Sequence, residues 1–326
     1  MENNSRQNFE DIVGLDLKDR KILSAMDMDG RLNYSKLAKL AGVSKHAAEY
    51  RIKNLINNGI IKTVRPVFNF PKLGYRYCIL MLTFQKMTEQ KRKEILHYLV
   101  NYKEWIWVSN LYGAYDFLIG IWVKTLEEFK QFTQDIESRF GDSIKSRSEN
   151  VVIKNIALQR NFLLGSHEKK EVYTKETGEI IKVDYLDKKI ISLLLKDGRI
   201  PTTKISKIIR CDPKVVAYRI KKMEKLDIIK VYYTIFDYSK LGYTHFVILI
   251  NLNKTPKSNL VRIKNYLRNN PHTTRSIEMV GSTFDIWIEF VAKTGKDMTD
   301  FIEGAKRKFP GVIEDYHALI TTPVSP

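Results

Sequence analysis

Cysteine is nearly absent from this 326-residue chain. The two that occur, Cys78 and Cys211, are far apart and fall in no CxxC or Cys/His spacing. That excludes a zinc ribbon and a disulfide framework, and it points to a reducing cytoplasm. Long apolar runs are missing as well. The longest, Tyr77–Phe84 and Phe246–Leu252, are far below the ~20 residues that span a bilayer. Met1–Glu10 is polar and lacks the apolar core of a signal peptide. A soluble cytoplasmic protein with no membrane partner is expected. No catalytic constellation stands out either. The six histidines (His46, His97, His167, His245, His272, His317) are scattered, and there is no HExxH, P-loop or GxGxxG. No metal, no cofactor and no enzymatic activity is expected. Acidic residues are in deficit, 37 Asp+Glu against 55 Lys+Arg, giving a formal charge of +18 and a pI near 9.6. Such a field favours a polyanionic partner, with binding that weakens as salt rises, but charge alone carries no specificity.

What is present is a repeat. With 44% hydrophobic residues over 326 positions, at least two domains are expected. Gly30-Arg31 recurs as Gly198-Arg199, a step of 168 residues. The same step carries Asp19 to Asp187, Tyr50-Arg51-Ile52 to Tyr218-Arg219-Ile220, Leu73-Gly74-Tyr75 to Leu241-Gly242-Tyr243, and Gly113 to Gly281. Five separate matches in one register identify a tandem duplication.

Each copy opens with three short helices. In copy one Asp16 caps a helix with Leu17, Ile22, Leu23 and Met26 on its apolar face, ended by Asp29-Gly30. A second covers about Tyr34–Leu40, and Gly42-Val43 turns the chain into a third. In that third helix Ser44 is the cap, Ala48, Ile52 and Leu55 form the stripe, and Asn58-Gly59 is the stop. Copy two repeats this over Leu186–Leu195, Thr202–Ile209 and a helix opened by Asp212-Pro213, an N-cap followed by proline at the first helical position. Three short helices with a tight turn before the last match a helix-turn-helix, in which the third helix enters a DNA groove.

The remainder of each copy is mixed. Extended hinges (Thr63–Asn69, Val231–Asp237) lead to strands at Tyr75–Phe84 and Tyr243–Leu252. Helices follow at about Glu89–Asn101 and Ser258–Asn269. Next come strands at Trp105–Leu111 with Asp116–Val123, and at Thr274–Val280 with Phe284–Phe290. Second helices (Leu126–Phe140, Asp297–Phe309) and last strands (Ile144–Ala157, Val312–Thr321) complete a β-α-β-β-α-β order, the ferredoxin-like split βαβ unit. The expected α+β division is helix-turn-helix domains at 14–62 and 184–230 and ferredoxin-like effector/dimerisation domains at 63–164 and 231–326. A charged linker spans 165–183, including His167-Glu168-Lys169-Lys170-Glu171.

This arrangement resembles the Lrp/AsnC, or feast/famine, transcriptional regulators. The resemblance rests on Asp19-Arg20-Lys21-Ile22-Leu23, Asp29-Gly30-Arg31, Leu37-Ala38, Ala41-Gly42-Val43-Ser44, Arg51-Ile52 with Leu55, Gly59-Ile60-Ile61 and the Gly113-Ala114-Tyr115-Asp116 turn. It covers nearly the whole chain, once per copy. It implies a (winged) helix-turn-helix regulator bound to double-stranded DNA at the nucleoid, dimerised through its effector domains and responsive to an amino-acid-like effector. Fusion of two units implies an intrachain pseudo-dimer, able to pair further into a homo-oligomer, with an asymmetric rather than palindromic site.

Copy one's expected DNA-binding residues are Ser44, Lys45, His46, Ala47, Tyr50, Arg51, Lys53 and Asn54. Copy two's are Lys214, Val215, Tyr218, Arg219, Lys221 and Lys222. The helix leading edges would meet base edges and the later cations phosphates. Arg51 and Arg219 can equally form salt bridges within their own domains, and Tyr50 and Tyr218 can simply pack. The resemblance places an effector near Ser109, Asn110, Gly113 and Asp116, and near Gly281 and Asp285, where one extra residue breaks the pattern. There the alternative is a tight turn capped by aspartate. Two other functions compete with the regulator. One is a chromatin-like protein that coats DNA. The other is a siroheme-decarboxylase-like enzyme, whose histidine- and arginine-rich segment has no counterpart in Trp105–Phe117 and only His272 and Arg275 in copy two.

Overall fold

The computed structural model describes residues 14–102, 106–165, 170–175 and 179–324. Trp105 and the linker residues His167, Glu168 and Lys169 lie outside them. Copy one runs α1 (Leu17–Asp27), α2 (Tyr34–Ala41), α3 (Lys45–Asn57), β1 (Ile61–Phe68), β2 (Arg76–Phe84), α4 (Glu89–Val100), β3 (Ile106–Tyr112), β4 (Phe117–Val123), α5 (Leu126–Phe140) and β5 (Ile144–Leu158). The linker contributes a strand, β6 (Glu171–Lys175). Copy two follows as α6 (Tyr185–Lys196), α7 (Thr202–Ile209), α8 (Pro213–Lys225), β7 (Ile229–Phe236), β8 (Thr244–Leu252), α9 (Lys257–Asn269), β9 (Thr273–Val280), β10 (Ile286–Ala292), α10 (Gly295–Lys308) and β11 (Ile313–Val324). Contacts sort these into two compact units, each drawing on both copies. One holds Met1–Phe68, Gln159–Lys170 and Val183–Tyr243. The other holds Asn69–Leu158, Glu171–Lys182 and Thr244–Pro326.

In the helical unit the first helices start at reciprocal caps. Asp19 N donates to Asp16 Oδ1 (2.8 Å) and Asp16 N to Asp19 Oδ2 (3.3 Å), and Asp184 and Asp187 repeat the arrangement. The stretches read as hinges pair with each other. β1 and β7 run antiparallel, with Ile61 opposite Phe236, Arg65 opposite Tyr233 and Phe68 opposite Ile229. The repeated Gly-Arg dipeptides are where each copy grips the other. Gly30 N donates to Tyr232 O (2.6 Å), Gly198 N to Val64 O (2.8 Å), Arg31 to Ile200 O (3.5 Å) and Arg199 to Gly30 O. A Cβ on Gly198 would stand 2.7 Å from Val64 O, so no larger residue fits without moving backbone. Below this, Arg160 donates from both its backbone N and its guanidinium to Asp27 (2.6 Å each), and also to Thr234 O and the Tyr238 hydroxyl, with its plane over Tyr233. Both charged groups are buried, and the step of 168 places a leucine, Leu195, opposite Asp27.

The strands of the second unit form one sheet rather than two. β5-β2-β4-β3 and β11-β8-β10-β9 are each antiparallel, and they join through β3–β11 and β5–β9. The result is a closed eight-stranded barrel, with β6 attached to Lys154–Leu158 of β5. The two β-α-β-β-α-β halves thus share one barrel: the edge strands β3 and β9 of each half are covered by the last strand of the other, which removes exposed edges. Helices α4 and α5 cover one half, with Phe132 of α5 in one core with Leu80, Phe117 and Ile119, and α9 and α10 cover the other, with Phe301 of α10 in one core with Ile248 and Ile288. The inner face is filled by Ile79, Met81, Leu118, Val247, Leu249 and Trp287. Burial of both faces is why Tyr77–Phe84 and Phe246–Leu252 read as continuous apolar runs.

The turn glycines make the seams. Gly113 (φ 143°) leaves room for Leu319 of β11, and Gly281 (φ 85°) lies where a Cβ would meet Glu149 O of β5 at 2.7 Å. The two halves also differ on the inner face. Copy one has Tyr77, Trp107 and Gly120, with Trp107 Nε1 donating to the Tyr77 hydroxyl (2.8 Å) across the space Gly120 leaves. Copy two has His245, Arg275 and Glu289, with Arg275 Nε 3.1 Å and His245 Nε2 3.5 Å from the Glu289 carboxylate. Burial opposes ionisation of Glu289, but the Arg275 charge and the His245 contact outweigh it and hold the carboxyl down at about 2.

Two outcomes follow for stability. A carboxyl depressed on folding stabilises the fold above its unfolded pKa, and that contribution is lost as pH falls through its folded one. Barrel stability should therefore fall by roughly 2–3 kcal/mol more between pH 5 and pH 2 in the native chain than in Glu289→Gln. Acid unfolding of the two proteins checks this, and parallel curves would refute it. Gly281→Ala should destabilise by at least ~1–2 kcal/mol in chemical denaturation, from the left-handed backbone alone.

Candidate nucleic-acid interface

α3 and α8 present the same design twice. Each buries one stripe, Ala48, Ile52 and Leu55 in α3 and Val216, Ile220 and Met223 in α8, and leaves the opposite face to solvent. Lys45 and His46 are exposed at the leading edge of α3, and Ala47 is half-buried behind them. Ser44 is the N-cap, its Oγ accepting from Ala47 N (3.1 Å). Lys214 and Val215 are exposed at the leading edge of α8, where Asp212 caps by accepting from Lys214 N (2.6 Å). Tyr50 and Tyr218 are 67% and 66% exposed, so neither ring is packed away. Further along, Lys53 is exposed beside its helix neighbour Glu49 (3.0 Å), Asn54 is half-buried, and Lys221 and Lys222 are exposed.

Arg51 and Arg219 have an internal role. Arg51 lies 2.8 Å from both Asp16 and Asp19, and Arg219 lies 2.7 Å from Asp184 and 2.8 Å from Asp187. Hydrogen bonds donated to these aspartates push both guanidinium pKa values further up. Each arginine thus ties the third helix to the capped start of the first, which fixes the angle at which the outer face is presented.

The second helices carry cations that the sequence analysis does not count among the DNA-binding residues. Lys36 and Lys39 on α2 and Lys204 and Lys207 on α7 are all exposed, at repeat-equivalent positions. Carrying the 168-residue step through α2 would have found them. In helix-turn-helix docking this helix lies across the backbone, where cations meet phosphates.

The residues proposed for an effector are engaged within the barrel. Ser109 is buried. Asn110 and Asp116 both accept from Arg92 of α4 (3.2 and 3.1 Å), and Asp116 also accepts from Phe84 N (2.8 Å). Asp285 accepts from Leu252 N (2.8 Å), the equivalent bond in copy two, so the extra residue after Gly281 is absorbed without breaking the equivalence. Gly113 and Gly281 are the seam residues described above. Among the described residues no group of three or more His, Cys, Asp or Glu could hold a metal, and no helix is long and apolar enough to cross a membrane.

Comparison with known proteins matches the two helical segments, residues 15–62 and 183–230, to the winged helix-turn-helix DNA-binding family. The HTH-type transcriptional regulator FL11 of Pyrococcus furiosus is 32% identical over 127 residues, 39% of this chain and 83% of that protein. A second HTH-type transcriptional regulator of the same organism is 29% identical over 138 residues, 42% of this chain and 91% of that protein. Among solved structures, the siroheme decarboxylase NirDL, crystallised with an iron-uroporphyrin III analogue, superposes with a TM-score of 0.60 at 13% identity. That match covers 94% of this chain and 91% of the other. It shows a shared fold, and it overturns the expectation that the chain is not an enzyme. The local sequence relationship is nevertheless to regulators: the chain belongs to the Lrp/AsnC-type helix-turn-helix transcriptional regulators, with two tandem copies of the DNA-binding domain in one polypeptide.

Proposed function

We propose that this protein is a sequence-specific transcriptional regulator in which α3 and α8 are two unequal reading heads for one asymmetric DNA site, acting in the cytoplasm at the nucleoid. The observation that carries this is the pairing of β1 with β7, which joins the heads within one chain while their leading edges differ: Ser-Lys-His-Ala in one, Asp-Pro-Lys-Val in the other. Lys45, His46, Lys214 and Val215 are assigned to the groove. Lys53, Lys221, Lys222 and the lysines of α2 and α7 are assigned to phosphates. An amino-acid-like effector belongs to this reading as a family trait. At the copy-one turn it would have to displace Arg92 from Asp116. Further pairing of whole chains belongs to it too, through surfaces other than the barrel seams, which are already occupied within the chain.

Replacing Lys45, His46 and Lys53 together by alanine should weaken duplex binding at least about tenfold while leaving the melting temperature unchanged. Fluorescence anisotropy on genomic fragments measures this, and normal binding by the triple variant would mean the head is misassigned. Footprinting on the same fragments separates a regulator from a coating protein. A discrete protected site supports the proposal; uniform protection supports the architectural alternative.

The fold match favours a second reading, a siroheme-decarboxylase-like activity. What supports it in this chain is the polar His245–Arg275–Glu289 cluster on the inner barrel face. Incubation with siroheme, followed by mass analysis for carboxylate loss, tests it; unchanged siroheme would remove it.

A further inference from the structure

Copy two departs from copy one at both glycines that shape the helix-turn-helix. Gly42 ends α2 with φ 66°, and its counterpart Arg210 ends α7 with φ 54°. Gly59 follows α3 with φ 68°, and its counterpart Asp227 follows α8 with φ 59°. Left-handed backbone favours glycine, and a residue with a side chain held there is strained. Lys86, the third non-glycine residue in this conformation among the described residues, has a lysine at its repeat position too, so it carries no such contrast.

The two replacements differ in what they gain. Asp227 forms an ion pair with Lys230 at 2.8 Å, within its own turn. Arg210 is exposed, and among the described residues its side chain has no hydrogen bond or ion pair. Nor does the turn depend on that side chain. It is closed by Arg210 N and Cys211 N donating to Ser206 O, and by Ser206 Oγ donating to Cys211 O (2.5 Å). Glycine would serve this turn as it does in copy one.

Charge supplies the reason for an arginine. The leading edge Gly42–His46 carries one formal positive charge, from Lys45. The equivalent stretch Arg210–Lys214 also carries a net of one, because Arg210 and Lys214 outweigh Asp212. Without Arg210 the capping carboxylate would leave this edge neutral, and an uncompensated Asp212 would repel phosphate. We propose that Arg210 is a DNA-phosphate contact of the second reading head alone, held in a strained turn that copy one makes with glycine.

The proposal rests on the DNA-binding reading, and its test separates the two. The full-length protein, Arg210→Gly and Arg210→Lys are titrated against one mixed-sequence duplex over a range of potassium chloride, and their melting is recorded. Arg210→Gly should melt about 2–4 °C higher, because strain is relieved. It should bind several-fold more weakly, with the slope of log affinity against log salt shallower by about 0.9. Arg210→Lys should keep both the slope and the native melting temperature. If Arg210→Gly bound with unchanged affinity and slope while the native chain bound well, the assignment would be overturned and the DNA-binding reading would stand. Weaker binding with a lowered melting temperature would also overturn it, by showing that arginine holds the turn. A native chain that bound no duplex would defeat the DNA-binding reading itself.

Discussion

Backbone pairing between the two copies is the constraint on which the rest depends. Among the described residues β1 pairs with β7 alone, and the outer edges of β3 and β9, left open within their own copies, are covered by β11 and β5 of the opposite copy. An unpaired strand edge exposes a row of donors and acceptors that invites association. Here each copy closes the other's edges. The Gly-Arg dipeptides serve the same end in the helical unit, where Gly30 and Gly198 let one backbone approach the other and their arginines reach across. A residue pattern that first identifies the duplication thus turns out to be its contact surface.

Pairing two copies within one chain releases them from identity. A homodimer must use the same residues on both sides of its axis, whereas a fused pair can change one side alone. The inner barrel face does this, with Tyr77, Trp107 and Gly120 in one half and His245, Arg275 and Glu289 in the other. The helical unit does it with the buried Asp27–Arg160 pair, whose second-copy counterpart position is Leu195. Breaking such a pair by removing one partner costs about 3–5 kcal/mol, since a buried charge is left uncompensated. The asymmetry is therefore built into the stability of the fold as well as into the reading heads.

Local features were legible in the sequence and pairings between distant segments were not. The caps at Asp16, Ser44 and Asp212-Pro213 mark helix starts because the hydrogen bonds that make them span only two or three residues. The β1–β7 ladder joins residues some 170 positions apart, and no periodicity in either stretch announces a partner, so both read as hinges. The same holds for the barrel seams and for β6, whose charged residues read as linker. Of the candidate site, the leading edges of α3 and α8 were legible from their exposed cations. The engagement of Arg51, Arg219 and Asp116 depends on tertiary neighbours: Asp16 and Asp19, Asp184 and Asp187, and Arg92. Arg275 stood out only as an isolated residue until the fold brought Glu289 and His245 beside it.

The central claim is that one chain reads DNA with two unequal heads. Selection of bound duplexes from a random library by the full-length protein tests it most directly, because the enriched sequences report binding, specificity and symmetry together. The account predicts a motif of two dissimilar half-sites, in which alanine at Lys45 and His46 relaxes one half and alanine at Lys214 relaxes the other. A perfect palindrome, or no enriched motif at all, would contradict it.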